Sequence, residues 1–235
     1  MQTHSTPSAE AIHPSLWRAS QLARSSTVCV SSGHASLDRE LPGSGWPTGA
    51  LIELLIQQSG AAELSLLRPA LTRLAGRRIA LVQPPHQPQS LALSGFGLLP
   101  SQFLWVRSQK PGDALWASEQ ILRTGSCGAL LLWQKHIRNE SLRRLHLAAQ
   151  SNDTLFFMVR PLAYAQQPSP AALRLSLQPV HQGLQIDFTK RRGASRDVPL
   201  LLSLSPLLRF SDHALVDSLI PAFTPAGSVS PALAG

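Results

Sequence analysis

Residues 49–66 read GALIELLIQQSGAAELSL, and the order of patterns within them decides the architecture expected of the chain. Residues 50–56 are a continuous apolar run interrupted only by Glu53, too short for a helix that stands alone. Residues 62–75 then place Leu64, Leu67, Leu71 and Leu74 at helical spacing. The alternation continues downstream. IALVQ at 79–83 reads as a strand ended by Pro84 and Pro85, FLWV at 103–106 as a third, and 113–124 as a helix that Gly125 stops. ALLLW at 129–133, an arginine-rich helix at 139–150 and TLFFMV at 154–159 complete the series. Strands that are apolar throughout, joined by helices, predict a parallel sheet covered on both faces.

The last third changes character. ALRLSL at 172–177 and LQIDFTK at 184–190 alternate apolar and polar residues around a turn at Gly183, which predicts an antiparallel hairpin at a sheet edge. One more strand is expected within 198–208 and a short helix at 211–220. Upstream, 33–49 is dense in Gly, Pro and Ser and predicts a shaped loop after a short strand at 27–30. The organisation expected is an N-terminal segment with a short helix (1–26), one α/β domain (27–205), and a short helix with a low-complexity tail (206–235).

Composition narrows the function classes. The 235 residues are 43% hydrophobic and only 14% charged, enough apolar material for a packed core and unlike a solvated disordered chain. The formal charge is +8, and all but three of the 21 basic residues (Lys110, Lys135 and Lys190) are arginine. Arginine suits stacking and bidentate contacts with phosphate or carboxylate, so acidic partners are favoured. Cys29 and Cys127 have no CxxC or metal-ligand spacing and read as reduced core residues of a cytoplasmic protein. The first thirty residues lack the long apolar run of a secretory signal, and no stretch is apolar enough for a membrane span.

A strand–turn–helix is where a phosphate-binding loop belongs, because helix N-terminal amides and a lysine face the phosphates there. Against GxxxxGK[ST], the turn keeps Gly60 but continues Ala61, Ala62, with Glu63 standing about where the lysine belongs and Leu64 where the magnesium-binding hydroxyl belongs. A carboxylate at that place repels a triphosphate, while it complements the helix dipole. Trp133 stands where an inner strand of an ATPase carries its magnesium-holding acid, and the strand at 79–83 ends in Gln83-Pro84-Pro85-His86 without a carboxylate. The expectation is a chain that is not an enzyme and holds no cofactor or metal. Glu53 reads as buried with an arginine or backbone amides, and Asp187 as solvent-facing on the hairpin.

Partner contacts are the remaining candidates. Lys190, Arg191 and Arg192 follow the hairpin strand, and Lys135 and Arg138 follow the fourth apolar strand. If loops after parallel strands share one edge, these five form a single positive patch for an acidic protein surface or nucleic acid. Little aromatic interleaving argues for weak DNA contact at most. Trp116, on a helix face with Gln120 and Arg123 and opposite Ile121 and Leu122, is a candidate interface anchor, as is Trp17 beside Arg18.

The order of elements from about 10 to 205 resembles a RecA-type recombinase core. More closely, LPGSGWPTGALIELL, DALWASEQILRTGSCGALL, LRRLHLAA and PSPAALRLSL resemble the ImuA family, the RecA-like member of a bacterial damage-induced mutagenesis cassette. That resemblance implies a RecA-like fold and a non-catalytic role in SOS-controlled translesion synthesis. The implied partners are ImuB, a Y-family-like polymerase relative, together with RecA, and self-association through Lys190 to Arg192 as a residual subunit-contact edge. The neighbouring resemblance is to SulA, an SOS-induced division inhibitor of RecA-like fold that binds the tubulin-like division protein.

Overall fold

The computed structural model describes residues 28–204, apart from 60–61, 75, 87–96, 182 and 194–195. Cys29–Val30 (β1) pairs antiparallel with Trp46–Pro47 (β2) as a small separate sheet, and the loop between them carries the short helix Ala35–Asp38 (α1). Ala50–Ile56 (β3), Ala62–Thr72 (α2), Ile79–Val82 (β4), Phe103–Val106 (β5), Pro111–Thr124 (α3), Ala129–Trp133 (β6) and Asn139–Ala149 (α4) follow. Leu155–Pro161 (β7), Leu173–Val180 (β8), Gly183–Lys190 (β9) and Leu200–Leu202 (β10) complete the described elements. Strands β3 to β10 make one sheet in the order β10-β9-β8-β3-β7-β6-β4-β5. The run from β8 to β5 is parallel throughout, and β9 lies antiparallel between β8 and β10.

This is the α/β class expected, with a mostly parallel sheet and an antiparallel edge hairpin. The helices expected at 9–24 and 211–220, Trp17, Gly60 and the C-terminal tail lie outside the described residues. Two boundaries differ for identifiable reasons. Helix α3 starts at Pro111 because proline at the first helical position has no amide to leave unpaired. Strand β7 runs past Val159 through Arg160 to Pro161, since the charge of Arg160 is met inside the sheet.

All seven residues of β3 are buried, as a strand paired on both sides and covered on both faces requires. Ile52, Leu54 and Ile56 join the layer under α2, where Leu66, Leu67, Ala70 and Leu71 pack. Leu51, Phe156 and Met158 join the opposite layer with Ala114 and Leu122 of α3 and Leu145 and Ala148 of α4. The glycine-rich loop belongs to the core: Trp46 is fully buried and meets Phe157 edge-on, ring centroids 5.4 Å apart. Gly49 lets the chain turn from that loop into β3, because its φ is +62° and a Cβ there would stand 2.6 Å from the Asn152 carbonyl oxygen. Gly125 ends α3 in the left-handed conformation, and the Asn152 side-chain amide donates to the carbonyls of Leu122 and Arg123, 2.9 Å each.

Glu53 is fully buried at the centre of the sheet. Arg174, its direct neighbour on β8, donates through Nε to Oε2 at 2.6 Å, and Arg160 of β7 donates to Oε1 at 3.1 Å. Arg174 also donates to the carbonyls of Tyr164, Ala165 and Gln167, so the turn after β7 is closed by the same guanidinium.

Replacing Glu53 with Gln leaves two buried guanidiniums without their counter-charge. The expected loss is about 3–5 kcal/mol of unfolding free energy, read from urea denaturation. Arg77→Ala, which removes the exposed bidentate pair with Asp153 (3.0 and 3.1 Å), is expected to cost under about 1 kcal/mol. His34 gives a pH test. Burial pushes its pKa below the usual 6.5, against the opposing effects of its contact with the Leu66 carbonyl and the charge of Asp38. The unfolded chain therefore binds the extra proton first, and stability falls as pH drops below about 6.5. His34→Gln is expected to flatten that part of the pH–stability curve.

Candidate functional site

The carboxyl ends of the parallel strands, where α/β sheets bind ligands, open onto a cleft of about 900 Å³ lined by residues of β3, β6 and β7, of the loops after β3, β4, β6 and β7, and by Pro111 at the start of α3. Its apolar wall includes Ile56, Trp133, Ile137 and Val159, and its polar wall includes Lys135, His136, Arg138 and Arg160. Gln83, at the end of β4, holds its corner of the cleft in a left-handed conformation (φ 55°), with its side-chain amide donating to the Ser108 carbonyl.

The two residues that replace expected ATPase groups meet each other here. The indole Nε1 of Trp133 donates to Oε1 of Glu63 at 3.2 Å, and both side chains are buried. Glu63 sits in the first turn of α2, where its carboxylate complements the helix dipole as expected. Neither replacement was read as a pair from sequence, since 70 residues separate them and only the β3–β7–β6 order brings them together. Leu64 packs against the core beneath α2, and Ala62 opens the helix against that core. His86 is exposed and outside the cleft lining.

The floor of the cleft is a chain of contacts that begins at Glu53. Arg160 is only 2% exposed, and its guanidinium also lies 4.5 Å from the Tyr164 ring centroid. The Tyr164 hydroxyl is hydrogen-bonded to Nδ1 of His136, and the two rings stand edge to face at 5.8 Å. His136 belongs to the loop after β6, between Lys135 and Arg138. Both of these are exposed, and neither forms an ion pair with another described residue. Arg160, Arg174 and Tyr164 were not singled out in the sequence. A usable signal was present, because a lone carboxylate in a buried strand demands a partner, and Arg160 and Arg174 are the basic residues of the two segments that flank β3 in the sheet.

The single basic patch does not form. Strand β9 runs against its neighbour, so Lys190 at its end faces Arg174 at the start of β8, and Lys190, Arg191 and Arg192 line a second depression at the amino ends of the parallel strands. Lys135 and Arg138 lie at the opposite edge. The expectation treated the loop after β9 as if that strand were parallel. Several of these cations are also engaged internally. Lys190 donates to the Ser169 carbonyl at 2.8 Å, and Arg191 donates to the Glu40 carbonyl and to its Oε2 at 2.8 and 3.0 Å. Arg196 completes the pairing of Glu40, whose carboxyl is held below its usual range by the Arg191 hydrogen bond first and by Arg196 after it. The charges after the hairpin thus clamp the loop that follows α1.

Trp116 is 63% exposed on α3, as its helix face predicted. Asp187 is half-buried rather than solvent-facing, and accepts from Ser176 Oγ at 3.3 Å. Cys127 is buried, Cys29 is half-buried, and both are free thiols that burial pushes above their usual pKa. Among the described residues no helix is long and apolar enough to cross a membrane.

No family model matches the chain. It is similar to the protein named cell division inhibitor SulA of Edwardsiella piscicida, 30% identical over 116 residues that make up 46% of this chain and 69% of that protein. It is also 28% identical over 117 residues to the cell division inhibitor SulA of Yersinia enterocolitica, covering 49% of this chain and 70% of that protein. With more than two thirds of the Edwardsiella protein covered at that identity, this protein belongs to the family of the cell division inhibitor SulA.

Proposed function

We propose that this chain is a non-catalytic adaptor of the bacterial DNA-damage response, acting in SOS-induced translesion synthesis through contacts with an ImuB-like polymerase relative and with RecA. The observation that carries the non-catalytic part is the buried hydrogen bond between Trp133 and Glu63. It places an indole and a carboxylate together where a RecA-like ATPase needs an acid for magnesium and a lysine for phosphate. The phrases that resemble ImuA support the translesion assignment, and they cover the loop into β3 with most of that strand, most of α3 with the start of β6, much of α4, and the first part of β8. Trp116 supports a protein partner, because an exposed tryptophan on a rigid helix is a typical interface anchor.

A second reading has its own observation. Both relatives carry the name cell division inhibitor, and on that reading the same fold binds the tubulin-like division protein. DNA contact is a minor term in either case, since Lys190 is tied to the Ser169 carbonyl and Arg191 and Arg196 to Glu40.

Pull-downs and an assembly assay separate these readings. Purified chain is expected to retain the ImuB-like protein and RecA in pull-downs and to leave assembly of the tubulin-like protein unchanged. Inhibited assembly, with filamentous cells on overexpression, favours the second reading. Trp116→Ala is expected to weaken partner binding about ten-fold or more, with no change in the urea midpoint. ATP turnover is expected to stay at background with or without single-stranded DNA, and DNA retention to vanish as salt rises. Turnover that disappears on Glu63→Ala overturns the non-catalytic assignment.

A further inference from the structure

We propose that the cleft at the carboxyl ends of the parallel strands binds a phosphorylated small molecule, with the phosphate seated on the loop after β6 and not on the turn after β3. The cleft has the capacity for one, since small-molecule sites commonly span roughly 300–1,000 Å³ and this one is about 900 Å³. Lys135, His136, Arg138 and Arg160 line it, and among the described residues no aspartate or glutamate does.

The charge balance beneath the cleft points the same way. Glu53 serves two guanidiniums, Arg160 and Arg174, so a fully buried set of three ionised groups carries one net positive charge. Arg160 lines the cleft, and its Nε has no hydrogen-bond partner. A buried cation with an unmet donor is costly, and an anion in the cleft lowers that cost. Helices α3 and α4 begin beside the cleft, with Pro111 and Arg138 at their amino ends among its lining residues, and the acids of their first turns, Asp113 and Glu140, are outside that lining.

The turn after β3 is a poor seat for the phosphate. The first turn of the helix that follows carries Glu63, whose carboxylate repels an anion and is bonded to the indole of Trp133. In the loop after β6, Lys135 and Arg138 are exposed and neither is paired with a described residue, while Glu140, the acid in the first turn of the helix that follows, is outside the cleft lining. Tyr164, braced by Arg160 on one side and His136 on the other, offers an aromatic ring, and Ile137 and Val159 offer apolar surface to the body of the ligand.

Calorimetric titration of the full chain tests this with inorganic phosphate, ribose 5-phosphate, adenosine monophosphate and adenosine as probes. At least one phosphorylated probe is expected to bind with a Kd of about 1 mM or tighter, more weakly as salt rises, and adenosine is expected not to bind. Phosphate binding as well as either ester marks the oxyanion as the recognised group, whereas a stronger ester identifies the body that the aromatic wall accepts. The double variant Lys135→Ala, Arg138→Ala is expected to weaken binding about ten-fold or more, and Glu63→Gln to leave it within about two-fold. No binding of any phosphorylated probe, equal binding of adenosine, binding insensitive to the double variant, or binding lost in Glu63→Gln overturns the proposal. ATP turnover and partner pull-downs are separate readouts, so failure here leaves the adaptor reading intact.

Discussion

Glu53 stands at the middle of the central strand with no access to water, and one carboxylate there joins three neighbouring strands. Its Oε2 takes Arg174 from β8 and its Oε1 takes Arg160 from β7, so the two strands on either side of β3 are tied to it by side chains as well as by backbone. A buried ion pair of this kind contributes little net stability compared with a packed apolar replacement, yet removing one partner is expensive. Its consequence is specificity of arrangement. A strand slip of one residue would turn Glu53 to the opposite face, away from both arginines. The same guanidiniums then organise what lies beyond the strand ends, since Arg174 closes the turn after β7 and Arg160 supports Tyr164.

Electrostatics divide the molecule into two edges with different uses for arginine. At the amino ends of the parallel strands, Arg191 and Arg196 converge on Glu40 and fasten the loop after α1 to the hairpin. On the helical layer, Glu119 is nearly buried between Arg123, at 2.8 Å, and Arg144. At the carboxyl ends, Lys135 and Arg138 have no such carboxylate, and the nearby acid Glu63 is turned to an indole. A chain with 13 acidic residues against 21 basic ones has few counter-charges to distribute. Where they are placed decides which cations hold the fold together and which face a ligand or partner.

Much of the architecture was legible because buried parallel strands have a distinctive pattern. Continuous apolar runs at 50–56, 79–83, 103–106, 129–133 and 154–159, separated by helical spacing, require a sheet shielded on both faces, and the alternating segments after residue 170 require an edge. The role of Glu53 was legible in kind, since an acid in such a run must be paired. Trp116 announced its exposure through helical periodicity alone.

Strand order and direction were not local properties, and they settled the rest. The sequence by itself determined the α/β class, most sites of burial and the presence of a glutamate and a tryptophan at positions 63 and 133, because these follow from residue type and spacing along one element. Tertiary structure alone decided that Trp133 and Glu63 share a hydrogen bond, that Arg160 and Arg174 divide one carboxylate, and that the antiparallel course of β9 sends Lys190 to Arg192 to the edge opposite Lys135 and Arg138. Each of these depends on which strands become neighbours across gaps of tens of residues, and that choice is made by packing of the whole sheet.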